Sequence, residues 1–194
     1  MGPPSEINLN VPFFPQAPDA DWGLPWQEAC EEAASVLAWY YVTGQPLTKE
    51  QFKEEVLALV GWQKEHFGDY KHSNIEQTAM MIKGHFLDLS SANIQMALIE
   101  EPTVGELKEF IADGYVVIAP FAGRQLGNPF YSGEGPLYHM MVIKGYDKKH
   151  FITNDVGTKR GENFIYPYQT ILSAMHEWHD TNINLGMRKV IVLK

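Results

Sequence analysis

YHMMVIKGYDKKHFITND, residues 138–155, decides the fold class because its pattern predicts two β-strands joined by a tight turn. Apolar, β-branched and aromatic residues dominate residues 138–146 and 150–155. The polar segment Asp147-Lys148-Lys149 separates them and supplies the turn. The two strands should therefore pair as an antiparallel hairpin.

The hairpin places two polar residues of chemical interest together. His139 begins the first strand and Asp155 ends the second, so we expect them to meet at the far end of the pair. Asn154 should point to the opposite face of its strand. An acceptor behind a histidine fixes the ring tautomer and stabilises the imidazolium, which suits a general base. The alternatives are an ordinary surface histidine and a turn-forming aspartate before Gly157.

The chain upstream of this hairpin is predicted to be mainly helical. A first helix should begin near residues 27–29 and run to about Val42, because its apolar residues recur at helical spacing and Gly44 follows. Capping boxes, in which a Ser or Thr oxygen and a Glu or Gln side chain bind free amides, predict three more helices. They cover residues 48–60 (Thr48 with Gln51), 73–84 (Ser73 with Glu76) and 103–113 (Thr103 with Glu106).

The remaining segments complete an α+β pattern, with helices first and an antiparallel sheet second. We predict strands at 115–120 and 188–193, a helix at 167–178, and a long loop at 122–137 that is rich in Gly and Pro. Residues 7–194 should form one domain, with a helical lobe at about 7–114 and a sheet lobe at about 115–194. Residues 1–6 are expected to be a linker or an added segment.

Composition excludes several classes of protein. The chain has 194 residues, 45% of them hydrophobic, which is enough for a core without disulfides. The net charge is -9 and Lys and Arg do not cluster, so nucleic acid is not expected as a partner. A membrane span is not expected because no run of about 18 apolar residues occurs. The N-terminal segment resembles a start added to a trimmed mature sequence, so we expect export or a cell-surface location.

Cys30 is the only cysteine, which rules out an intrachain disulfide and a multi-cysteine zinc site. It lies at the first turn of the first predicted helix. The thiolate is the nucleophilic form of cysteine, and a helix N-terminus stabilises anions. A nucleophile is therefore one interpretation of this position, and a small buried apolar residue is the other.

Two glutamines are candidates for stabilising an oxyanion beside Cys30. Gln16 lies on a proline-rich extended segment, from which a side-chain amide could donate together with the backbone amide of the nucleophile. Gln27 is closer in sequence and is the rival candidate. We prefer Gln16 because Gln27 should lie in or beside the first helical turn, where its direction is less free.

Several motifs between residues 10 and 157 together resemble a known family. They are NVPFFPQ (10–16), WQEACE (26–31), WYY (39–41) followed by Gly44, the strand and turn at 139–147, and ITND (152–155) followed by Gly157. They resemble papain-like peptidases related to the bacteriocin-processing (double-glycine) peptidases, and among these the stand-alone peptidase C39-like domains. Many relatives have Gly after the nucleophile, where this chain has Glu31, and Pro after the aspartate, where it has Val156. A carboxylate beside a thiol should raise the thiol pKa.

The resemblance implies a papain-like fold, with an active-site cleft between a helical lobe and an antiparallel sheet. It implies a cysteine peptidase that hydrolyses peptide or amide bonds through an acyl-enzyme. Cys30 would be the nucleophile, His139 the base and Asp155 the residue that orients it, with Gln16 at the oxyanion. A peptide or protein substrate is expected, without cofactor or metal, and the oligomeric state is left open.

Three alternatives remain at this point. His176 and His179, three apart on a predicted helix, could bind a metal, although this spacing also occurs by chance. The same scaffold could also transfer acyl groups to amines, or bind peptides without catalysis. Separately from these alternatives, Glu31 and Glu32 are interpreted as exposed helix charges.

Overall fold

The computed structural model describes residues 2–194 and confirms the α+β class, with helices on both faces of an antiparallel sheet. The α-helices are α1 (Cys30–Thr43), α2 (Lys49–Phe67), α3 (Ile75–Ile82), α4 (Val104–Ala112) and α5 (Tyr168–Ala174). The strands are β1 (Ile7–Asn8), β2 (Met96–Glu100), β3 (Val116–Ala122), β4 (Tyr138–Tyr146), β5 (His150–Asn154), β6 (Phe164–Pro167) and β7 (Lys189–Leu193).

Strand β4 is central in the sheet, whose order is β2-β7-β3-β4-β5-β6. It pairs with β3 with Phe121 opposite His139, and with β5 with Val142 opposite Asn154. The short strand β1 pairs with the other end of β4. The predicted hairpin is therefore confirmed, and its open end lies where His139 and Asp155 are found.

The sheet separates two apolar clusters because successive side chains of a strand point to opposite faces. All seven residues of β3 are buried. Val116 and Ile118 contribute to the cluster formed with α1, α2 and α3. Val117 and Ala119 contribute to the cluster formed with α4 and α5. Helix α1 consequently lies between the sheet and helices α2 and α3, and it packs against β4.

The capping box at the start of α3 differs from the predicted one. Asn74 and Gln77 form it, because the Asn74 side chain accepts from the Gln77 amide and the Gln77 side chain accepts from the Asn74 amide. The expectation of Ser73 with Glu76 is wrong by one residue. The Ser73 hydroxyl instead donates to Gln63 Oε1. The boxes that begin α2 and α4 are confirmed.

Element boundaries differ from the predictions at three places. Helix α2 extends to Phe67 rather than residue 60. Helix α5 ends at Ala174, so the prediction of helix through residue 178 is wrong. Strands β1, β2 and β6 were not expected, and two of them, β1 and β2, come from the half predicted to be helical. Short strands with little alternation give a weak sequence pattern.

Among residues 2–194, no helix is both long enough and apolar enough to cross a membrane.

Candidate active site

Cys30 is the first residue of α1 and is only 6% exposed. The helix N-terminus favours a thiolate at this position. Burial nevertheless raises the pKa of the Cys30 thiol well above its usual range, and the charge of Glu31 raises it further. The backbone of Met140 acts in the opposite direction, which places the sulfur beside strand β4. Deprotonation of this thiol therefore needs a base within the site.

Two carboxylates follow Cys30 directly, and both are buried. Glu31 and Glu32 are 1% and 0% exposed, so the expectation of exposed helix charges is wrong. The Cys30 thiol donates to Glu31 Oε2 over 3.0 Å, and Gln63 Nε2 donates to Glu32 Oε1 over 2.5 Å. Burial raises the pKa of Glu31 to about 7, and raises that of Glu32 well above its usual range. The physical reason is that α1 is covered on every side over Cys30–Tyr40 and has no solvated face there.

His139 and Asp155 meet, as the hairpin geometry predicts. His139 Nε2 lies 2.8 Å from Asp155 Oδ1, and the two residues are 1% and 0% exposed. Burial alone would raise the pKa of Asp155, but the neighbouring His139 and hydrogen bonds from Tyr166 and Tyr131 lower it to about 2. An ionised carboxylate only accepts hydrogen bonds, so the Nε2 of His139 carries the proton. Nδ1 is then the basic nitrogen of the neutral ring.

Three residues that were not predicted as site residues hold Asp155. Its second oxygen, Oδ2, accepts from Tyr166 Oη at 2.6 Å, Tyr131 Oη at 2.7 Å and Asn128 Nδ2 at 2.9 Å. Asn128 and Tyr131 lie in the predicted loop at 122–137 that is rich in Gly and Pro, whereas Tyr166 lies on the unexpected strand β6. Hydrogen bonds to an ionised acceptor are stronger than neutral ones, so this set fixes the carboxylate behind the ring.

Gln16 joins the two sides of the site. Its backbone amide donates to Val156 O at 2.8 Å, just after Asp155. Its Nε2 lies 2.9 Å from Trp26 O and 3.0 Å from Gln27 O, in the turn before Cys30. Its Oε1 is buried and has no hydrogen-bond partner among the described residues. Gln16 Nε2 thus donates to two backbone carbonyls, and its role at an oxyanion stays a prediction.

The predicted site residues Cys30, His139 and Gln16 line one cavity of about 840 Å³. The rival glutamine, Gln27, also lines it. Its walls include four aromatic side chains, those of Trp22, Phe130, Tyr131 and Tyr138. Trp22 and Phe130 are 43% and 40% exposed, so this apolar surface is open to a ligand. Asp155 lies behind His139 and is not part of the lining.

Gly157 allows the loop after Asp155 to pass close to the imidazole. A Cβ atom at this position would lie 2.9 Å from His139 Cε1 and 3.2 Å from Asp155 Oδ1. The Gly157 amide also donates to Asp155 Oδ1 at 3.0 Å. The glycine noted in the sequence motif therefore has a steric reason, which is the space that the histidine ring requires.

The alternative of a metal bound by His176 and His179 depended on a helix that the structure lacks at these residues. His176 Nδ1 instead lies 2.8 Å from Gly186 O, and His179 Nδ1 accepts from the Thr181 amide at 3.3 Å. In the described part of the chain, no group of three or more His, Cys, Asp or Glu side chains could hold a metal ion.

Comparison with known proteins identifies the family. The model of the Peptidase_C39 like family matches residues 8–182. Among solved structures, a putative C39-like peptidase from Bacillus anthracis has a TM-score of 0.65 at 15% identity, over 98% of both chains. Xylellain, a cysteine protease from Xylella fastidiosa, has a TM-score of 0.47 at 13% identity, over 98% of this chain and 86% of that one. No curated protein sequence matches.

The likeness to the Bacillus anthracis structure confirms the predicted papain-like α+β fold. Family and fold together indicate a cysteine peptidase. The family model matches most of the length of this chain, and the chain therefore belongs to the peptidase C39-like family.

Proposed function

We propose that this protein hydrolyses peptide or amide bonds with Cys30 as nucleophile, His139 as general base and acid, and Asp155 as the residue that orients the imidazole. The observation that carries this proposal is the buried 2.8 Å hydrogen bond between His139 and Asp155, at the wall of the cavity that Cys30 also lines. A thiol, a base and an orienting acceptor are the three parts that acyl transfer to cysteine requires.

The proposed reaction has two stages. The thiol proton passes to His139 Nδ1, and the sulfur attacks the carbonyl carbon to form a tetrahedral oxyanion. The imidazolium then protonates the leaving amine as the C–N bond breaks, which leaves a thioester on Cys30. Water attacks the thioester, His139 takes its proton, and the sulfur leaves. Asp155, whose pKa is lowered to about 2, stays ionised throughout and stabilises each imidazolium.

The oxyanion donors in this proposal are the Cys30 backbone amide and Gln16 Nε2. An amide at the first helical position has no partner within the helix, so it is free to donate. Gln16 Nε2 carries two hydrogens and contacts the Trp26 and Gln27 carbonyls, and an oxyanion would replace one of these acceptors.

Peptide is the substrate class that fits the cavity. Its volume of about 840 Å³ exceeds the need of a single amide, and the exposed side chains of Trp22 and Phe130 in its walls offer apolar surface. Apolar side chains flanking the scissile bond would be buried there.

Incubation with a diverse peptide library, followed by mass spectrometry of new termini, tests the proposal. We expect cleavage by the wild type and its loss in Cys30→Ala and His139→Ala. His150→Ala is the matched control, because His150 lies at the other end of the same hairpin and contacts Asp147. Cleavage that survives Cys30→Ala would contradict the proposed nucleophile.

An added primary amine separates hydrolysis from acyl transfer. Hydrolysis gives free carboxyl termini even in the presence of the amine, whereas an acyl transferase would give amide products. Binding of library peptides without any product would indicate a silent binding module. Either of these results would overturn the hydrolytic assignment.

A further inference from the structure

The contact between Cys30 and Glu31 joins the proposed nucleophile to a second titratable group. Cys30 Sγ lies 3.0 Å from Glu31 Oε2, and the Glu31 side chain lines the same cavity although it is only 1% exposed. Its other oxygen, Oε1, is buried and has no hydrogen-bond partner within residues 2–194. Hydrogen bonds from the thiol and from the backbone of Glu31 and Ser73 lower the pKa of this carboxyl, but burial has the larger effect and raises it.

Charged and titratable groups face Glu31 from each neighbouring element. Those that interact with its carboxyl are Cys30 and Glu32 on α1, Glu28 on the turn before it and Tyr138 on β4. His72 on the segment before α3, His139 on β4 and Lys159 on the loop after β5 line the same cavity. His72 Nδ1 lies 3.9 Å from Glu28 rather than against Glu31. Burial is the main reason that ionisation of Glu31 is unfavourable, and the charge of Glu28 adds to it.

The hydrogen bond between sulfur and carboxyl reverses its direction with protonation. A protonated Glu31 can donate to a thiolate and stabilise it. An ionised Glu31 can only accept, so it keeps the proton on the sulfur and repels a thiolate. The two arrangements need no movement of the chain, because the same atoms are in contact in both.

We propose that Glu31 is a positioning residue that controls the protonation state of Cys30, permitting the thiolate when it is neutral and suppressing it when it is ionised. This inference rests on the proposed function of Cys30 as the nucleophile. Burial raises the pKa of Glu31 to about 7, so the change falls in the neutral range. Below about pH 7 the neutral Glu31 donates to the thiolate, whose own proton is held by His139. When Glu31 loses its proton as the pH rises, the sulfur takes the proton back from His139, and the nucleophile is suppressed.

The rate of alkylation of Cys30 by iodoacetamide between pH 5 and 9 tests this inference without a substrate. The alkylation rate of an ordinary thiol rises about tenfold for each unit of increasing pH, as long as the pH is below the thiol pKa. We expect the wild-type rate to fall between pH 6 and 8 instead. The glutamine of Glu31→Gln has the size of the glutamate and can donate to the thiolate, so the alkylation rate of this variant should not fall between pH 6 and 8. At pH 8 its rate should exceed that of the wild type by about tenfold or more.

Glu32→Gln is the matched control, since Glu32 is equally buried and adjacent but contacts Gln63 rather than the sulfur. Its alkylation profile should follow the wild type. A wild-type rate that rises steadily from pH 5 to 9, unchanged in Glu31→Gln, would overturn the role of Glu31. If that protein still cleaves peptides through Cys30, the proposed function stands. Identical slow labelling of native and denatured protein, with no cleavage, would overturn both.

The wild-type profile is decisive by itself if Glu31→Gln does not fold, because a decreasing rate between pH 6 and 8 contradicts an isolated thiol. Cleavage of a single library peptide provides a second readout. The cleavage rate should decrease above about pH 7 in the wild type, and this decrease should begin at a higher pH in Glu31→Gln. If Glu31 has a purely structural role, Glu31→Gln should lower the cleavage rate at every pH without changing the pH at which the rate decreases.

Discussion

His139 Nε2 and Asp155 Oδ1 form a 2.8 Å hydrogen bond in which both residues are almost fully buried. The histidine is the second residue of β4 and the aspartate directly follows β5, so the pairing of the two strands holds the contact. Since Nε2 is occupied by the carboxylate, Nδ1 is the nitrogen that can serve the cavity. The position of the base therefore depends on the sheet rather than on a mobile loop.

Replacing Asp155 by Asn should lower kcat by about 10²- to 10⁴-fold, because an amide no longer selects the tautomer that leaves Nδ1 basic. Peptide cleavage under saturating substrate measures this. The matched control is Asp147→Asn in the turn of the same hairpin, where the carboxylate contacts His150 instead. Equal activity of the Asp155→Asn variant and the wild type would show that the contact has no catalytic part.

Tyr166→Phe should reduce kcat and destabilise the fold by about 1.5–3 kcal/mol, because it removes the 2.6 Å hydrogen bond to the ionised Asp155. Tyr168→Phe is the control, since Tyr168 bonds the Asp147 carbonyl, distant from the site. Urea unfolding and peptide cleavage measure both effects. A loss of stability without any change in kcat would indicate that the hydroxyl acts only on the fold.

Gln16→Ala should lower kcat by about 10²- to 10³-fold through loss of one oxyanion donor. Gln27→Ala should stay within about threefold of the wild type, because one donor of this kind is enough. Steady-state kinetics on one library peptide compares the two variants. The opposite ranking would transfer the oxyanion role to Gln27, which lines the same cavity.

Gly157→Ala should reduce activity strongly, because the new Cβ would lie 2.9 Å from His139 Cε1 and displace the ring. Gly61→Ala provides the contrast. It lies within α2 with open space around it, so its Cβ should stabilise the fold by about 0.5–1 kcal/mol and leave activity unchanged. Full activity in Gly157→Ala would show that the loop can move away from the histidine.

The pH dependence of stability should identify the buried glutamates. The pKa of Glu31 is raised from 4.5 to about 7 in the folded protein, so the folded state binds this proton more tightly than the unfolded state. Its contribution is complete below the unfolded pKa and is lost as pH rises through about 7. We expect the free energy of unfolding to fall by about 3 kcal/mol between pH 4.5 and 8 from this group.

Urea unfolding at pH 5 and pH 8 measures that loss, and Glu31→Gln should reduce it. Glu32 acts in the same direction, because burial also raises its pKa. Asp155 acts in the opposite direction. Its pKa is lowered to about 2, so its contribution is present above pH 4 and is lost only as pH falls through about 2. Stability that increases between pH 5 and 8 would contradict the burial of the glutamates.

The meeting of His139 and Asp155 could be predicted because both lie at the ends of one hairpin, where a local pattern determines a local contact. The spacing of apolar residues predicted that α1 begins near residues 27–29, and it begins at Cys30, while Gly44 ends it as predicted. The partners of Asp155 could not be predicted in the same way. Asn128 lies in a loop without periodicity, and Tyr166 lies on a short strand whose pattern is weak.

The burial of Glu31 and Glu32 has a different cause. Charged residues in a helix usually mark its solvated face, and this expectation fails where a helix is enclosed on all sides. One signal was available, since Ala33–Tyr41 is almost wholly apolar around the helix, as expected for a buried helix. The contact between Glu31 and the sulfur then depends on tertiary packing against β4, which the sequence does not reveal.

Alkylation of native and denatured protein at pH 6 gives the most direct test of the nucleophile and base. The denatured thiol, with a pKa of about 8.5, is almost wholly protonated at this pH and should react slowly. We expect native Cys30 to react at least about tenfold faster, and His139→Ala to abolish the difference. Equal, slow labelling of the native and denatured wild type would contradict an activated cysteine, and with it the proposed peptidase.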